Sequence, residues 1–437
     1  MFFFKKKHPE IEVVQIFKGD QTIWNEDTVL FYLHEGKELL KYKYGKTEEG
    51  ELKAFLLLDK IPLIKWHSDE YNCPTCEKLL AAGYGRNKVP DSIIESIKNA
   101  GNNTGLSLVE NLDMVKPLLS LMENGLYAFS YINLNPTNGD KRFFWDIDIE
   151  PRYFSGSCNI YHNFAFGQGR PAYILPTQPA ASYNLERVQY YRNIIKSGKS
   201  VGGIAYYLDG YLCALLDGHH RATACLLEEV PFRCLTLMRV GAWGYEVDRK
   251  KGFVNIGGQQ FDISNLEKNV RSKLESDKQR ALSSLNYLDK EKVEYYLSLT
   301  NVEWNKKDWS QEITEKAQSY PSCYDLLAIE HAGDLSDERL NKLFAESIAG
   351  NETEYDLVLR ALIALRDQRA VDMALRVAKS TALVSLWEYA FIFLSRIKSQ
   401  RAESFFMDFL VYDDNSRPKL TKIACEYFSK YDGEKHE

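Results

Sequence analysis

Short apolar runs with strand-like alternation dominate the chain as far as position 165. The runs are IEVVQIF, TVLFYLH, ELKAFLLL, YAFSYINL and FFWDIDIE, and turn sequences such as NPTNGD at 135–140 separate them. Runs of this length, rich in β-branched and aromatic residues, predict β-strands. Two stretches with helical spacing, at about 90–99 and 107–122, interrupt the strands. The pattern therefore predicts a mixed α+β domain over residues 1–165.

Residues 166–260 predict a compact α/β domain. AYILP is a short strand, and NLERVQYYRNIIKSGK is a helix with Asn184 as its N-cap and Gly198 as its stop. VGGIAYYLDGYLCALLD is two apolar strands joined at Asp209-Gly210, which is a hairpin signal. A DGHHR turn, a helix to about Glu229 and the strand PFRCLTLMRV follow.

Helical periodicity defines a third region, residues 261–437, which begins with a charged connector at 265–300. SDERLNKLFAES starts at Ser336, QRAVDMALRVAKS at Gln368 and QRAESFFMDFLVY at Gln400, so the three starts are evenly spaced. Each segment follows another amphipathic helix. Two helices per repeat of this length are typical of a HEAT-like α-solenoid, and an irregular helical bundle is the alternative. The chain as a whole is predicted to be α+β.

Composition narrows the functional classes. The chain of 437 residues is 45% hydrophobic and 27% charged, with a net charge of −6, so it lacks the global basic field of a nucleic-acid or membrane-surface protein. No apolar run approaches the roughly 18 residues that a membrane span needs. The start, MFFFKKKHPE, places its aromatic residues before its lysines, the reverse of a secretory signal. We expect a cytoplasmic protein with reduced cysteines and no membrane segment.

The most informative stretch is the turn DGHHR, residues 217–221. A strand ends before it, Gly218 permits a sharp bend, and a helix begins near His219. Backbone N–H groups, the positive end of the helix dipole, two imidazoles and the Arg221 guanidinium would then surround one point, which favours phosphate or another anion. Asp217 could orient an imidazole or hold a metal ion that accompanies phosphates. The alternative is a structural turn that the two histidines cap and fill.

These residues carry a resemblance to the ParB/sulfiredoxin superfamily over about 172–240. The family has a strand, a helix, a hairpin and a strand–turn–helix motif that reads G-C-H-R in sulfiredoxins, G-E-R-R in ParB proteins and D-G-H-x-R in free serine kinases. ALLDGHHRATA stands at that place here, and VPFRCLTL follows it. The sulfiredoxin catalytic cysteine falls on His219, so the resemblance argues against sulfiredoxin chemistry. The ParB glutamate also falls on His219, and no helix-turn-helix reader is visible downstream.

The resemblance implies that this turn binds nucleotide phosphates. Gly218, His220 and Arg221 match the phosphate-binding positions, and Arg187 aligns with a basic residue that sulfiredoxins add from the first helix. The serine-kinase branch fits best and implies ATP or ADP with Mg²⁺ and a small hydroxyl substrate. Such chemistry needs a carboxylate base. We take Glu186, Asp217 and His219 as candidate catalytic residues, although Glu186 is equally well interpreted as a solvated acid in the first helical turn.

A possible metal centre is a separate prediction. Cys73 and Cys76 form a C-x2-C pair of the kind that binds tetrahedral zinc. His67, or the pair Cys158 and His162, would complete the site, and we favour the pair. Four protein ligands would make the zinc structural. Unliganded thiols and a redox pair remain the alternatives.

Three functions follow. The first is a nucleotide-binding protein that transfers phosphate to a small hydroxyl compound, as a small-molecule kinase does. The second is a scaffold or adaptor whose C-terminal helices bind a protein partner. The third, a DNA-binding ParB-like protein, rests on the resemblance alone, and the acidic charge balance argues against nucleic acid.

Overall fold

The computed structural model describes most of the chain and divides it into two units, Met1–Tyr320 and Pro321–Glu437. The described residues are 9–50, 52–67, 80–82, 89–100, 107–137, 143–145, 170–241, 252–283, 287–299, 312, 315–316, 320, 322–346, 348, 350–412 and 416–432. The first unit combines mixed β-sheets with helices, and the second is helical in its described part. The fold class is therefore α+β, as predicted.

A seven-stranded sheet forms the centre of the first unit. In spatial order, its strands are β1 (Glu10–Phe17), β2 (Thr28–His34), β7 (Gly125–Leu134), β11 (Phe232–Arg239), β9 (Gly202–Asp209), β10 (Leu212–Asp217) and β8 (Tyr173–Pro176). Neighbours are antiparallel except for the pairs β11/β9 and β10/β8, which are parallel. Strands from both sides of the predicted boundary at 165/166 thus share one sheet, because β7 pairs with all eight residues of β11.

Two smaller sheets complete the β-structure. The strands of the five-stranded sheet are, in spatial order, β14 (Tyr287–Leu288), β3 (Leu40–Lys46), β4 (Leu52–Leu58), β5 (Ile61–His67) and β6 (Leu80–Ala82). The hairpin of β12 (Phe253–Ile256) and β13 (Gln259–Asp262) forms the third sheet. Of the predicted strand FFWDIDIE, only residues 143–145 are described, and Phe143 forms an isolated bridge with Thr137.

Helices pack around these sheets. In chain order they are α1 (Asp91–Ala100), α2 (Leu108–Met114), α3 (Lys116–Leu119), α4 (Leu185–Lys196), α5 (His219–Leu227), α6 (Lys268–Ser283) and α7 (Lys290–Ser298). The single helix predicted for 107–122 is divided into α2 and α3 at Val115, because Pro117 lacks an N–H group and its ring opposes continuation of the preceding turn.

The helices α6 and α7 belong to the first unit, although the sequence analysis placed them in the helical region 261–437. Val293 and Tyr296 of α7 form an apolar cluster with Phe55 and Leu57 of the five-stranded sheet. Leu274 of α6 joins the main hydrophobic core. Burial of these side chains ties the charged stretch to the sheets, so it is not a bare connector.

The second unit consists, in its described part, of helices that pack around one apolar core. These are α8 (Cys323–Ala332), α9 (Asp337–Ala345), α10 (Glu352–Ala364), α11 (Ala370–Lys379), α12 (Trp387–Leu394), α13 (Gln400–Tyr412) and α14 (Pro418–Asp432). Within the described ranges, no individual helix combines the length and hydropathy of a bilayer crossing. Only Ala370–Lys379 and Thr381–Leu394 together reach this length and hydropathy, and the two segments are bent by 117° at the break between them.

Candidate functional site

Two parallel strands end side by side, and each leads into a helix. Leu215 of β10 lies opposite Pro176 of β8, so both strands end at the same edge of the sheet. The helices α4 and α5 that follow them pack against each other. The Asn184 backbone N–H donates to Nε2 of His220 over 3.0 Å, which joins the start of α4 to the first turn of α5. The positive ends of two helix dipoles therefore lie together.

Close backbone packing explains the glycines around the turn. Gly218 has φ 108° and precedes α5, a conformation that favours glycine. A Cβ on Gly218 would lie 3.1 Å from the Gly203 Cα atom, and a Cβ on Gly203 would lie 2.6 Å from Cζ of Phe232. The DGHHR turn can lie against β9 only because both positions lack a side chain.

His219 is an internal acceptor. It is 2% exposed, and its Nε2 accepts hydrogen bonds from the backbone N–H groups of Thr177 and Gln178, at 3.0 and 3.2 Å. An accepting Nε2 requires the neutral imidazole with its proton on Nδ1. The ring also stacks on Phe144 and Trp145, each 6.0 Å away between ring centres. His219 thus fixes the chain that leaves β8.

His220 has a similar role one residue later. It is 7% exposed, and its Nε2 accepts the Asn184 N–H. Trp145 meets the ring edge to face at 5.4 Å, and Tyr183 stacks on it at 6.4 Å. The two imidazoles therefore pack against aromatic rings and accept hydrogen bonds from backbone N–H groups.

Asp217 and Arg221 form an ion pair across the turn. Nη2 of Arg221 donates to Oδ2 of Asp217, and their side chains are only 11% and 16% exposed. The guanidinium carbon also lies 6.0 Å from the centre of the Tyr191 ring on α4. Arg221 is thus held in an internal ion pair, in which Asp217 orients the guanidinium.

Glu186 and Arg187 occupy the first turn of α4 and are exposed. The Asn184 side chain caps this helix by accepting the Arg187 N–H over 2.9 Å, as predicted. Within the described residues, neither Glu186 nor Arg187 has an ion-pair partner. Their charges are available to a ligand at the start of α4.

The predicted zinc ligands Cys73, Cys76, Cys158 and His162 lie outside the described residues. In the part of the chain that the structure describes, no group of three Cys, His, Asp or Glu side chains is arranged to hold a metal ion. The described thiols of the first unit are buried, and burial raises the pKa of Cys225 to about 12.

Two residues of this region were missed by the sequence analysis. Thr177 follows β8, and its hydroxyl donates to the Leu215 carbonyl over 2.7 Å while its N–H donates to His219. Trp145 is fully buried, and its Nε1 donates to the Gln178 carbonyl over 3.0 Å. The polar residues Thr177 and Gln178 directly after a strand were a weak local signal for the role of Thr177. No local feature of the sequence indicated the role of Trp145.

No protein-family model, curated protein or solved structure matches the chain.

Proposed function

We propose that the adjoining first turns of α4 and α5 bind the phosphate groups of a nucleoside di- or triphosphate. The observation that carries this proposal is the meeting of two helix N-termini at the ends of parallel strands β8 and β10. Crevices at the carboxyl ends of strands are favoured ligand sites in α/β sheets, and helix N-termini attract phosphates.

The order of elements supports the same function. Strand β8, helix α4, hairpin β9–β10, helix α5 and strand β11 follow one another as the resemblance to the ParB/sulfiredoxin superfamily implies. In this proposal the accessible Arg187 contacts phosphate directly, and Arg221 supplies a second guanidinium that Asp217 orients. His219 and His220 hold the two helix starts in position.

The geometry supports binding more directly than phosphate transfer. The Asp217 carboxylate is engaged by Arg221, and Nε2 of His219 accepts two backbone bonds, so neither group is placed as a ready base. Glu186 is accessible at the same helix start. Phosphate transfer to a small hydroxyl compound, with Glu186 as the base, stays a prediction. Mg²⁺ would be held mainly by the nucleotide phosphates, because the described residues supply no three-ligand group.

A thermal-shift titration with ATP, ADP, CTP and GTP, each with Mg²⁺, tests the proposal. A nucleotide at 100 times its Kd stabilises the folded state by about 2.7 kcal/mol, which raises Tm by several degrees. Arg187→Gln should lose most of this shift. Lys196→Gln is the control, because it removes one charge from the other end of the same helix. It also removes an ion pair with Glu228, which lies outside the proposed site.

Two results would contradict the assignment. One is that no nucleotide raises the Tm of the wild type. The other is that Arg187→Gln and Lys196→Gln respond to nucleotide equally. Arg187 is exposed, so its replacement leaves the folded state intact and the comparison remains informative.

We also propose that the second unit is a HEAT-like array that binds a protein partner. Its support is the contact pattern, in which α8 packs against α10 and α12 packs against α14. The first helices of the first two pairs thus contact each other, as do α12 and α14, which stacked repeats require. Between the second and third pairs, α11 contacts α12. Arg369 of the second pair also donates to Asp337 of the first over 2.6 Å.

A further inference from the structure

A groove runs between α11 and α13 in the second unit. It has a volume of about 850 Å³ and follows two turns of each helix, a length of about 11 Å. Three or four residues of an extended peptide, at about 3.3 Å each, match this length. Leu375, Phe405 and Ile348 contribute apolar surface to its wall.

Positively charged side chains outnumber carboxylates along the groove. Arg401 is neutralised by its ion pair with Asp372, which leaves Arg376 and Lys379 against the single carboxylate of Asp408. In the described part of the chain, Lys379 has no carboxylate partner. The groove therefore has an excess of one positive charge.

Arg376 is fixed by two hydrogen bonds and has further N–H groups that can donate to a ligand. Its Nε donates to Oη of Tyr355 at 3.2 Å and its Nη2 to the Phe344 carbonyl at 2.5 Å, while the guanidinium lies 4.7 Å from the Phe344 ring centre. Both acceptors are neutral, so the positive charge persists. A guanidinium has five N–H groups, and three remain for a ligand once these two bonds, its only ones among the described residues, are made.

We propose that this groove, defined by α11 and α13, binds an acidic peptide segment of a protein partner through Arg376 and Lys379. A guanidinium that is already fixed in place loses little entropy when it binds a carboxylate, and its fork geometry matches the two carboxylate oxygens. The apolar wall would take an adjacent aliphatic side chain. The inference rests on the partner-binding function proposed above for the second unit, and it specifies the partner's chemistry.

Fluorescence anisotropy of the full-length protein with three labelled octapeptides tests this inference. The peptides alternate leucine with glutamate, lysine or serine. We expect the glutamate peptide to bind, its affinity to fall about tenfold in Arg376→Gln, and binding to weaken with added salt. Arg360→Gln is the control, since Arg360 is also half-buried and lies over an aromatic ring, Tyr389, but is not part of the groove. Unlike Arg376, it forms an ion pair, with Asp356.

Lys379→Gln gives a second comparison that does not touch the core, because Lys379 is exposed in the last turn of α11. Its control is Lys342→Gln, an exposed lysine in the last turn of α9. Failure of the glutamate peptide to bind, or equal affinity in groove and control variants, overturns the inference. Preferential binding of the lysine or serine peptide at the groove would also overturn it, while leaving the partner-binding function in place.

Discussion

Replacement of His219 tests whether this residue has a structural or a catalytic role. In His219→Leu the side chain remains large and apolar, but the acceptor for two backbone N–H groups is lost. A histidine that served only catalysis could be replaced with little change in stability. We expect instead that the free energy of unfolding falls substantially.

The magnitude follows from the contacts. Thr177 is fully buried, so its unsatisfied N–H costs about 1–3 kcal/mol. Gln178 is half-buried, and its N–H regains water at a lower cost. Loss of the stacked contacts with Phe144 and Trp145 adds about 0.5–1.5 kcal/mol each. The sum is a destabilisation of about 2–6 kcal/mol.

His219→Gln is the matched variant, because the glutamine Oε1 can replace Nε2 as acceptor while the ring stacking is lost. Since only the stacked contacts disappear, it should cost about 1–3 kcal/mol. Urea unfolding measures both variants, and hydrogen exchange with mass spectrometry reports the Thr177 and Gln178 amides directly. These amides should exchange faster in His219→Leu than in His219→Gln. Equal stability of the two variants, or unchanged exchange at both amides, would refute the reasoning.

Two further predictions concern the turn and the second unit. Gly218→Ala should destabilise the first unit by about 1–3 kcal/mol, because φ 108° strains any residue with a Cβ; an unchanged urea midpoint would contradict this. The bidentate hydrogen bonds from Arg369 hold the pKa of Asp367 below its ordinary value, and partial desolvation opposes them only in part. A lowered folded-state pKa stabilises the protein above the ordinary carboxyl pKa, and the contribution disappears as the pH falls through the lowered value. The urea midpoint of Asp367→Asn should therefore lie below that of the wild type at pH 7, and the difference should shrink as the pH falls below about 4. Asp408→Asn is the control, because the Asp408 carboxylate has no ion-pair partner among the described residues, and it should show no such difference.

Local signals predicted the elements around the turn well. The cap of α4 at Asn184 and its end near Gly198, which has φ 80°, follow from short-range hydrogen bonding and backbone freedom, and both are confirmed. Strand β3 escaped notice because its sequence, LKYKYGK, is half lysine and glycine. The β12–β13 hairpin was missed although Gly257-Gly258 at its turn is a readable signal.

The chemistry of the turn was less predictable because its partners are distant in sequence. The motif places two imidazoles and a guanidinium in the first turn of one helix. What each group does depends on Trp145, Thr177 and Asn184, which belong to much earlier segments of the chain. Periodicity and turn propensity report on near neighbours, so they could not show that the histidines are acceptors inside the core.

The place of β7 in the large sheet has a practical consequence for work on the middle of the chain. A fragment that begins at residue 166 would lack β7 and leave β11 with eight unpaired positions at an open edge. Such edges recruit other chains and promote aggregation. Recombinant expression should therefore keep the N-terminal strands attached, and insolubility of the shorter fragment would say nothing about ligand binding.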